Sequence, residues 1–195
     1  MGSLLGTMTP SYLDRPEAKE PSMEVAQTER LLLRWLDAGD CTFILELLNE
    51  PSWIRYIGDK GVQTIQDARR YIENGPVEMY QRLGFGLYLV ELKENGAPIG
   101  ICGLIKREAL VDVDLGFAFL PRFWANGYAF ESASAVIAYG RRAFGLSRIV
   151  AVLSQDNHRS AKLLEKLGFR FDSTVHLQAG GNPLMLYAAQ VSEEM

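Results

Sequence analysis

The chain has 195 residues, and its 20 Lys and Arg against 24 Asp and Glu give a formal net charge of −4. This balance argues against a dedicated nucleic-acid binder, which usually carries a basic excess. Hydrophobic residues make up 48% and charged residues 23% of the sequence, as in globular proteins with a buried core. Cys41 and Cys102 form no CxxC pair, and no EF-hand or HExxH spacing occurs, so neither a disulfide framework nor a metal site is expected.

Residues 1–24 are predicted to form a flexible tail, because Pro10, Pro16 and Pro21 interrupt them and their charges follow no period. The folded domain is placed at residues 25–195, with its first element near Thr28. The start lacks the features of a secretory signal, and no apolar run reaches the ~18 residues of a membrane helix. A cytoplasmic protein without a membrane partner is therefore expected.

The first third of the domain is predicted to hold one short strand and two helices. The run Leu31–Leu33 is typical of a buried strand. Asp37 or Asp40 is placed to cap a helix that Pro51 should end. Thr64 precedes a second helical pattern, whose C-terminal limit stays open.

The middle of the chain is predicted to form three strands. The runs Gly84–Glu91 and Ile99–Ile105 are rich in strand formers. Asn95-Gly96 between them is a strong hairpin signal, so these two strands should pair antiparallel. A third strand over 113–119 alternates bulky apolar residues with small or acidic ones, and Pro121 ends it.

The last third is predicted to contain a βαβ unit and two final strands. A helix with an apolar stripe ends at Gly145 and joins the third strand to another over 147–153. A shorter helix over about 157–167 and two strands, 169–175 and 184–189, complete the chain. This order of elements indicates a single α/β domain with a mixed sheet.

The loop Arg122–Gly127, which leads into the long helix, is the strongest candidate for a binding site. Unpaired N–H groups and the positive end of the helix dipole suit such a loop to phosphate. Gly127 permits a ligand to approach the main chain closely, although the glycine is explained more simply as a residue that only turns the chain. No P-loop, GxGxxG or GxSxG motif occurs, which argues against nucleotide hydrolysis, hydride transfer and lipase-type chemistry.

Four stretches of the sequence resemble a known family. The segment DLGFAFLPRFWANGYAFESA, which starts at Asp114, is similar to the acetyl-CoA-binding segment of GNAT N-acyltransferases. The runs NHRS from Asn157 and LEKLGF from Leu164, with TERLLLR from Thr28, resemble the RimJ/RimL-type branch, which acetylates protein N-termini, amino sugars or small amines. The resemblance spans about residues 27–190. It implies a GNAT fold, in which helices flank both faces of a mixed, twisted sheet.

The resemblance also implies that acetyl-CoA is the co-substrate. Main-chain amides from Arg122 to Ala129 would bind the pyrophosphate, and the end of the third strand would bind the pantetheine arm like an added strand. Asn157 would hold that arm through its side chain, and it is also placed to cap its own helix. The predicted binding residues are Phe117, Phe119, Leu120, Arg122, Ala125, Asn126, Gly127, Tyr128, Ala129, Asn157 and Ser160, and no metal is expected.

Attack of a neutral amine on a thioester requires a proton acceptor and a proton donor. Asp114 is the first candidate for the base, with a solvated or salt-bridged edge carboxylate as the alternative. Ser160 is the candidate acid for the leaving thiolate, with an ordinary helix serine as the alternative. Glu131 matches a family position but is more simply explained as a brace for the helix start. Trp35, Trp53 and Tyr56 are candidates to shape an acceptor pocket, although core packing is the simpler explanation for them.

Ala125 departs from the family's loop, which has glycine at that position. A positive φ there would strain alanine and weaken cofactor binding, whereas a negative φ would make the change mild. The leading hypothesis is acetyl transfer to a small-molecule amine or a peptide N-terminus by direct attack in a ternary complex. The alternatives are a catalytically weak CoA- or acyl-CoA-binding module and a partner-binding domain. Exposed end strands leave a homodimer open, and the sequence does not identify the acceptor.

Overall fold

The computed structural model of the protein describes residues 23–191. Within them lies one mixed sheet of eight strands, in the spatial order β1-β2-β3-β4-β5-β6-β8-β7. The tail predicted over residues 1–24 lies outside the described residues, apart from its last two positions. In chain order the strands are β1 (Glu24–Gln27), β2 (Leu31–Arg34), β3 (Leu87–Leu92), β4 (Pro98–Ile105), β5 (Val113–Phe119), β6 (Arg148–Ser154), β7 (Arg170–Val175) and β8 (Leu184–Gln190).

Helices cover both faces of this sheet, as expected. In chain order they are α1 (Cys41–Leu48), α2 (Pro51–Tyr56), α3 (Ile65–Ile72), α4 (Glu78–Leu83), α5 (Tyr128–Phe144) and α6 (His158–Lys166). Buried residues of α1, α2 and α3 form one core cluster with the sheet, and those of α5 and α6 belong to the cluster on the other face. No helix within residues 23–191 is both long and apolar enough to cross a membrane.

The predicted pairings of the central strands are confirmed. β3 and β4 pair antiparallel, with Leu87 opposite Gly103, and the turn between them contains Asn95-Gly96. β5 and β6 are parallel and joined by α5, which makes the expected βαβ unit. Asp37 caps a short 3-10 turn ahead of α1, where its carboxylate accepts the N–H of Gly39 at 2.7 Å.

Two prolines lie within the helical segments of the first third of the domain, and one of them departs from the prediction. Pro51 does not simply end a helix, because α1 stops at Leu48 and Pro51 is the first residue of α2, where its missing N–H has no consequence. The second helical pattern continues past α3 through a wide π-type turn, Glu73–Val77, that contains Pro76 and leads into α4. The strand β1 was not predicted, since four residues with exposed ends carry no clear period and depend on pairing with β2.

A buried arginine joins the first helical layer to the sheet. Both terminal nitrogens of Arg34 donate to the carboxylate of Asp40 at 2.8 Å, just ahead of α1. The same side chain donates to Glu91 on β3 at 2.6 and 3.0 Å. Such a doubly hydrogen-bonded pair has a defined geometry, so it fixes where α1 begins relative to the sheet.

The two parallel strands diverge soon after they meet. β5 and β6 pair only at Val113 with Ile149 and at Asp114 with Val150. The outer edge of β5 stays paired with β4 up to Phe119, and the outer edge of β6 stays paired with β8 along its whole length. Beyond Asp114 the inner edges of β5 and β6 therefore face a gap in the sheet.

Candidate active site

A cleft of about 1420 Å³ opens where β5 and β6 diverge. The loop before α5, the start of α5 and the start of α6 line one end of it. The segment after β4, with Lys60 and Tyr71 near Arg107, lines the other end. Residues of α2 also line the cleft, and α2 contacts the segment before α6 through the ion pair of Arg55 with Asp156, at 2.9 Å. The cleft brings together most of the residues predicted for the site: Asp114, Phe117, Phe119, Ala125, Gly127, Tyr128, Ala129, Asn157 and Ser160.

Three predicted binding residues do not line this cleft. Leu120 is fully buried in the core beneath the first helical layer. Arg122 points to α1, where its guanidinium pairs with the carboxylate of Glu46 at 2.5 Å. The side-chain amide of Asn126 donates back to the carbonyl of Trp124 at 3.0 Å. The side chains of Arg122 and Asn126 are thus engaged within the protein.

The loop before α5 contains two residues with left-handed backbone. Ala125 has φ of +63°, and no other non-glycine residue within 23–191 has a positive φ. Gly127 follows with φ of +83°, and a Cβ there would meet only Arg30 Nη2, at 3.4 Å. No side chain caps α5, so main-chain N–H groups at its start are available to an anion. The positive φ that would strain alanine is therefore present at Ala125, and this backbone conformation costs about 1–2 kcal/mol of folding free energy.

Glu131, in the first turn of α5, ties this loop to the start of the chain's folded part. Its carboxylate accepts Thr28 Oγ1 at 2.5 Å, the N–H of Arg30 at 3.0 Å and Arg30 Nε at 2.8 Å. Arg30 Nη1 also donates to the carbonyl of Asn126, at 3.1 Å. Burial opposes ionisation of Glu131, but the hydrogen bonds from Thr28 and Arg30 outweigh it and lower the pKa. Glu131 therefore braces the start of α5, as the sequence suggested.

The opposite wall of this end comes from α6. Asn157 caps that helix, because its Oδ1 accepts the N–H of Ser160 at 3.1 Å. The hydroxyl of Ser160, which lines the cleft, has no hydrogen-bond partner among residues 23–191. Trp124 connects the loop before α5 to α6. Its indole Nε1 donates to the carbonyl of Phe119 at 2.7 Å, and the guanidinium of Arg159 in α6 lies over the indole ring, 4.6 Å from the ring centroid.

Asp114 lies where the strands part, and it is 1% exposed. Its Oδ1 accepts the N–H of Val152 at 3.1 Å, and its Oδ2 accepts Arg107 Nε at 2.5 Å. Burial raises the pKa of this carboxyl, against the opposing attraction of Arg107. The carboxylate thus bridges β5 to β6 and is salt-bridged, but it is buried rather than solvated. Its role as the base stays a prediction.

The other end of the cleft was only partly predicted. Trp53 and Tyr56 line the cleft, with Trp53 also part of the core, whereas Trp35 stacks on Tyr80 and does not line it. Lys60, Tyr71 and Arg107 line the cleft but were not singled out from the sequence. Burial raises the pKa of Tyr71 to about 12, so its phenol is a neutral hydrogen-bond donor. These three residues stand in separate connecting or helical segments and form no motif, so only the tertiary fold assembles them.

Comparison with known protein families shows which family this chain belongs to. A family model described as an acetyltransferase (GNAT) domain matches residues 30–170. The chain belongs to the GNAT acetyltransferase family. It is an acetyl-CoA-dependent acetyltransferase, and members of this family act on amine acceptors.

Individual relatives agree with this assignment. The uncharacterized N-acetyltransferase YoaA of Bacillus subtilis (strain 168) is 30% identical over 163 residues, which cover 82% of this chain and 91% of YoaA. A GNAT-family acetyltransferase structure from Bacillus anthracis superposes with a TM-score of 0.71 at 25% identity, over 87% of this chain and 99% of that one. The apo structure of RimL, a ribosomal L7/L12 alpha-N-protein acetyltransferase, shares the fold with a TM-score of 0.74 at 17% identity, over 90% and 98% of the two chains.

Replacing Ala125 by glycine should stabilise this acetyltransferase by roughly 0.5–1 kcal/mol, because glycine adopts a positive φ without a Cβ clash but loses more chain entropy on folding. The matched control is Ala129→Gly in the first turn of α5, which should destabilise it by up to about 1 kcal/mol. Urea unfolding measures both. Equal destabilisation by the two changes would show that residue 125 is not left-handed.

Replacing Glu131 by glutamine should destabilise the protein by about 1–2 kcal/mol at neutral pH, since it weakens charge-assisted hydrogen bonds. The pKa of Glu131 is lower in the folded state. Its stabilising effect is therefore complete above the unfolded pKa, about 4.3, and is lost as the pH falls through the folded value.

The deficit of the glutamine variant should accordingly shrink in acid, as measured by urea unfolding at a series of pH values. Glu165→Gln is the control, because Glu165 is exposed and should show almost no effect at any pH. A Glu131→Gln deficit that stays constant down to about pH 3 would contradict the assignment.

Proposed function

We propose that this protein is a RimJ/RimL-type N-acetyltransferase that moves an acetyl group from acetyl-CoA to a primary amine of a small molecule or a peptide N-terminus. The observation that carries the proposal is the unpaired inner edge of β5 beyond Asp114, which runs toward the uncapped start of α5. An extended chain with amide groups pairs with such an edge as an added strand. A pyrophosphate suits the helix start at its end.

The residues around the cleft fit acetyl-CoA. Main-chain N–H groups over 125–129 would hold the pyrophosphate, and the main chain of Phe117 and Phe119 would hold the pantetheine arm. The side-chain amide of Asn157 keeps its nitrogen available, because only its oxygen is used in the helix cap. Arg159 has no carboxylate partner among residues 23–191 and would meet a phosphate. When bound, acetyl-CoA supplies the acetyl thioester.

Direct transfer requires a balanced movement of protons. The amine nitrogen forms a bond to the acetyl carbon as the carbon–sulfur bond breaks, so the amine loses one proton and the thiolate gains one. We assign the hydroxyl of Ser160 as the donor to the thiolate and Asp114 as the acceptor from the amine. Each oxygen of Asp114 accepts one hydrogen bond and keeps a lone pair, and a pKa raised by burial makes the carboxylate a better base. A main-chain N–H of the strand would stabilise the oxyanion.

Thermal-shift titrations with acetyl-CoA, CoA and ATP, followed by thiol-release assays with primary amines, test this function. Both CoA species should raise the unfolding temperature, with about 2.7 kcal/mol of stabilisation at 100-fold above Kd, and ATP should not. Absence of a shift would overturn the proposal. A shift without transfer to any amine would instead favour the CoA-binding module, which the strained Ala125 makes a specific alternative.

Replacing Ser160 by alanine should lower kcat by about 10²-fold and leave the KM for acetyl-CoA nearly unchanged, because only the proton donor is removed. The matched control is Ser134→Ala, since the hydroxyl of Ser134 donates to the carbonyl of Phe130 within α5 at 2.8 Å and lies outside the cleft. Steady-state thiol release measures both. Equal kcat values for the two variants would remove Ser160 from the mechanism.

A further inference from the structure

We propose that the acceptor of this acetyltransferase is a primary amine that also carries a carboxylate, and that Arg107 binds the carboxylate. The inference rests on the proposed function and names the class of acceptor for the same cleft. It comes from the donors gathered at the end of the cleft that lies away from the loop before α5.

Arg107 is held so that part of its guanidinium is free. Its Nε donates to Asp114 Oδ2 at 2.5 Å, and Asp114 is itself fixed by the N–H of Val152. The two terminal nitrogens of Arg107 donate to no residue within 23–191. The side chain is 34% exposed and lines the cleft. An arginine oriented through Nε offers a pair of parallel N–H donors, which is the geometry that binds a carboxylate in two places.

Lys60 adds a second cation at the same end of the cleft. Lys60 and Arg107 line the same cleft, and partial desolvation together with the charge of Arg107 lowers the pKa of the Lys60 ammonium, although the residue as a whole is exposed. Lys60 forms no ion pair with any residue in 23–191. The buried carboxylate of Asp114 pairs with Arg107 and with no other cation within residues 23–191. Two exposed carboxylates, Asp59 and Glu108, also line this end and are available to the ammonium group of the same acceptor.

Two further donors that line the cleft are neutral. Trp53 is 5% exposed, and its indole Nε1–H has no hydrogen-bond partner among the described residues. Tyr71 also lines the cleft, and its phenol remains protonated over the physiological range. Buried donors are almost always paired in folded proteins, so an unpaired one beside a cleft points to a ligand with acceptor oxygens. A carboxylate supplies such oxygens.

The position of Arg107 separates this site from the phosphates of the cofactor. The phosphate-binding loop follows Phe119, whereas Asp114, the anchor of Arg107, is where β5 and β6 part. Five residues of β5 lie between Asp114 and the start of the loop, and at a strand's rise of about 3.4 Å per residue they span about 17 Å. A pantetheine arm that runs along β5 from the loop would therefore deliver its acetyl group toward Arg107. An anion at Arg107 then belongs to the acceptor.

The first experiment uses the wild-type protein and compares three sets of amines: L-α-amino acids, the carboxamides of the same amino acids, and simple alkylamines. Thiol release with acetyl-CoA should give at least one amino acid a kcat/KM about tenfold or more above its carboxamide. Carboxamides that are equal or better would overturn the inference and favour a peptide N-terminus. Transfer to none of the amino acids would also overturn it if the amino acids fail to bind in the measurement described next.

Ligand-observed NMR with the same amino acids, in the absence of acetyl-CoA, keeps the inference separate from the proposed function. Amino acids that bind wild type more tightly than their carboxamides support the carboxylate site even if no acetyl transfer occurs. Absence of acetyl-CoA binding in the thermal-shift titration overturns the proposed function alone. Absence of amino-acid binding together with absence of transfer overturns the inference.

Two variants test whether Arg107 and Lys60 cause the preference for the amino acid over its carboxamide. Arg107→Lys keeps a cation beside the buried Asp114 but loses the paired donors, and Lys60→Met tests the second cation without touching that pair. Each should raise KM for the amino acid, about tenfold for Arg107→Lys, with KM for acetyl-CoA unchanged. Arg82→Lys is the control, because Arg82 forms an exposed pair with Glu78 outside the cleft. A preference for the acid over the carboxamide that survives in both variants would overturn the assignment.

Discussion

The parallel strands β5 and β6 exchange main-chain hydrogen bonds at only two positions and then separate, and the site depends on this divergence. Main-chain N–H and C=O groups within a fold need partners, so strand edges that part inside a sheet leave groups for an extended ligand or water to satisfy. The outer edges stay paired with β4 and β8, which keeps the cleft walls rigid. Asp114 compensates for part of the lost pairing, because its carboxylate accepts the N–H of Val152 on the other strand.

The loop before α5, proposed to bind the pyrophosphate, combines backbone strain with bracing contacts. Ala125 and Gly127 turn the chain with left-handed backbone, so the N–H groups at the start of α5 remain open. A loop in that conformation persists when surrounding contacts over-determine it. Arg30 provides such contacts, since it pairs with Glu131 and also donates to the carbonyl of Asn126. The first residues of the folded chain therefore shape a loop about a hundred positions away.

The end of the cleft around Arg107, where we propose that the acceptor binds, depends on one buried carboxylate with two hydrogen-bond partners. Asp114 bridges the diverging strands and orients Arg107 in a single arrangement. The hydrogen bond from Arg107 Nε to Asp114 fixes the direction in which the two terminal nitrogens point. Donors that are already oriented lose little conformational entropy when they bind a ligand. The same carboxylate, with its pKa raised by burial, is also the proposed base. Acceptor binding and proton removal would then meet at one residue.

The sequence by itself determined the elements whose signals are local: the period-two run of β5, the Asn95-Gly96 turn, the stripe of α5, and the loop and cap residues Gly127 and Asn157. These follow from backbone sterics and nearest neighbours along the chain. Only the tertiary structure decided the pairing of β1, the continuation of helix around Pro51 and Pro76, and the divergence of β5 from β6. It also brought Trp53, Lys60, Tyr71 and Arg107 into one cleft. Those features depend on contacts between residues far apart in the chain, for which no local period or spacing exists.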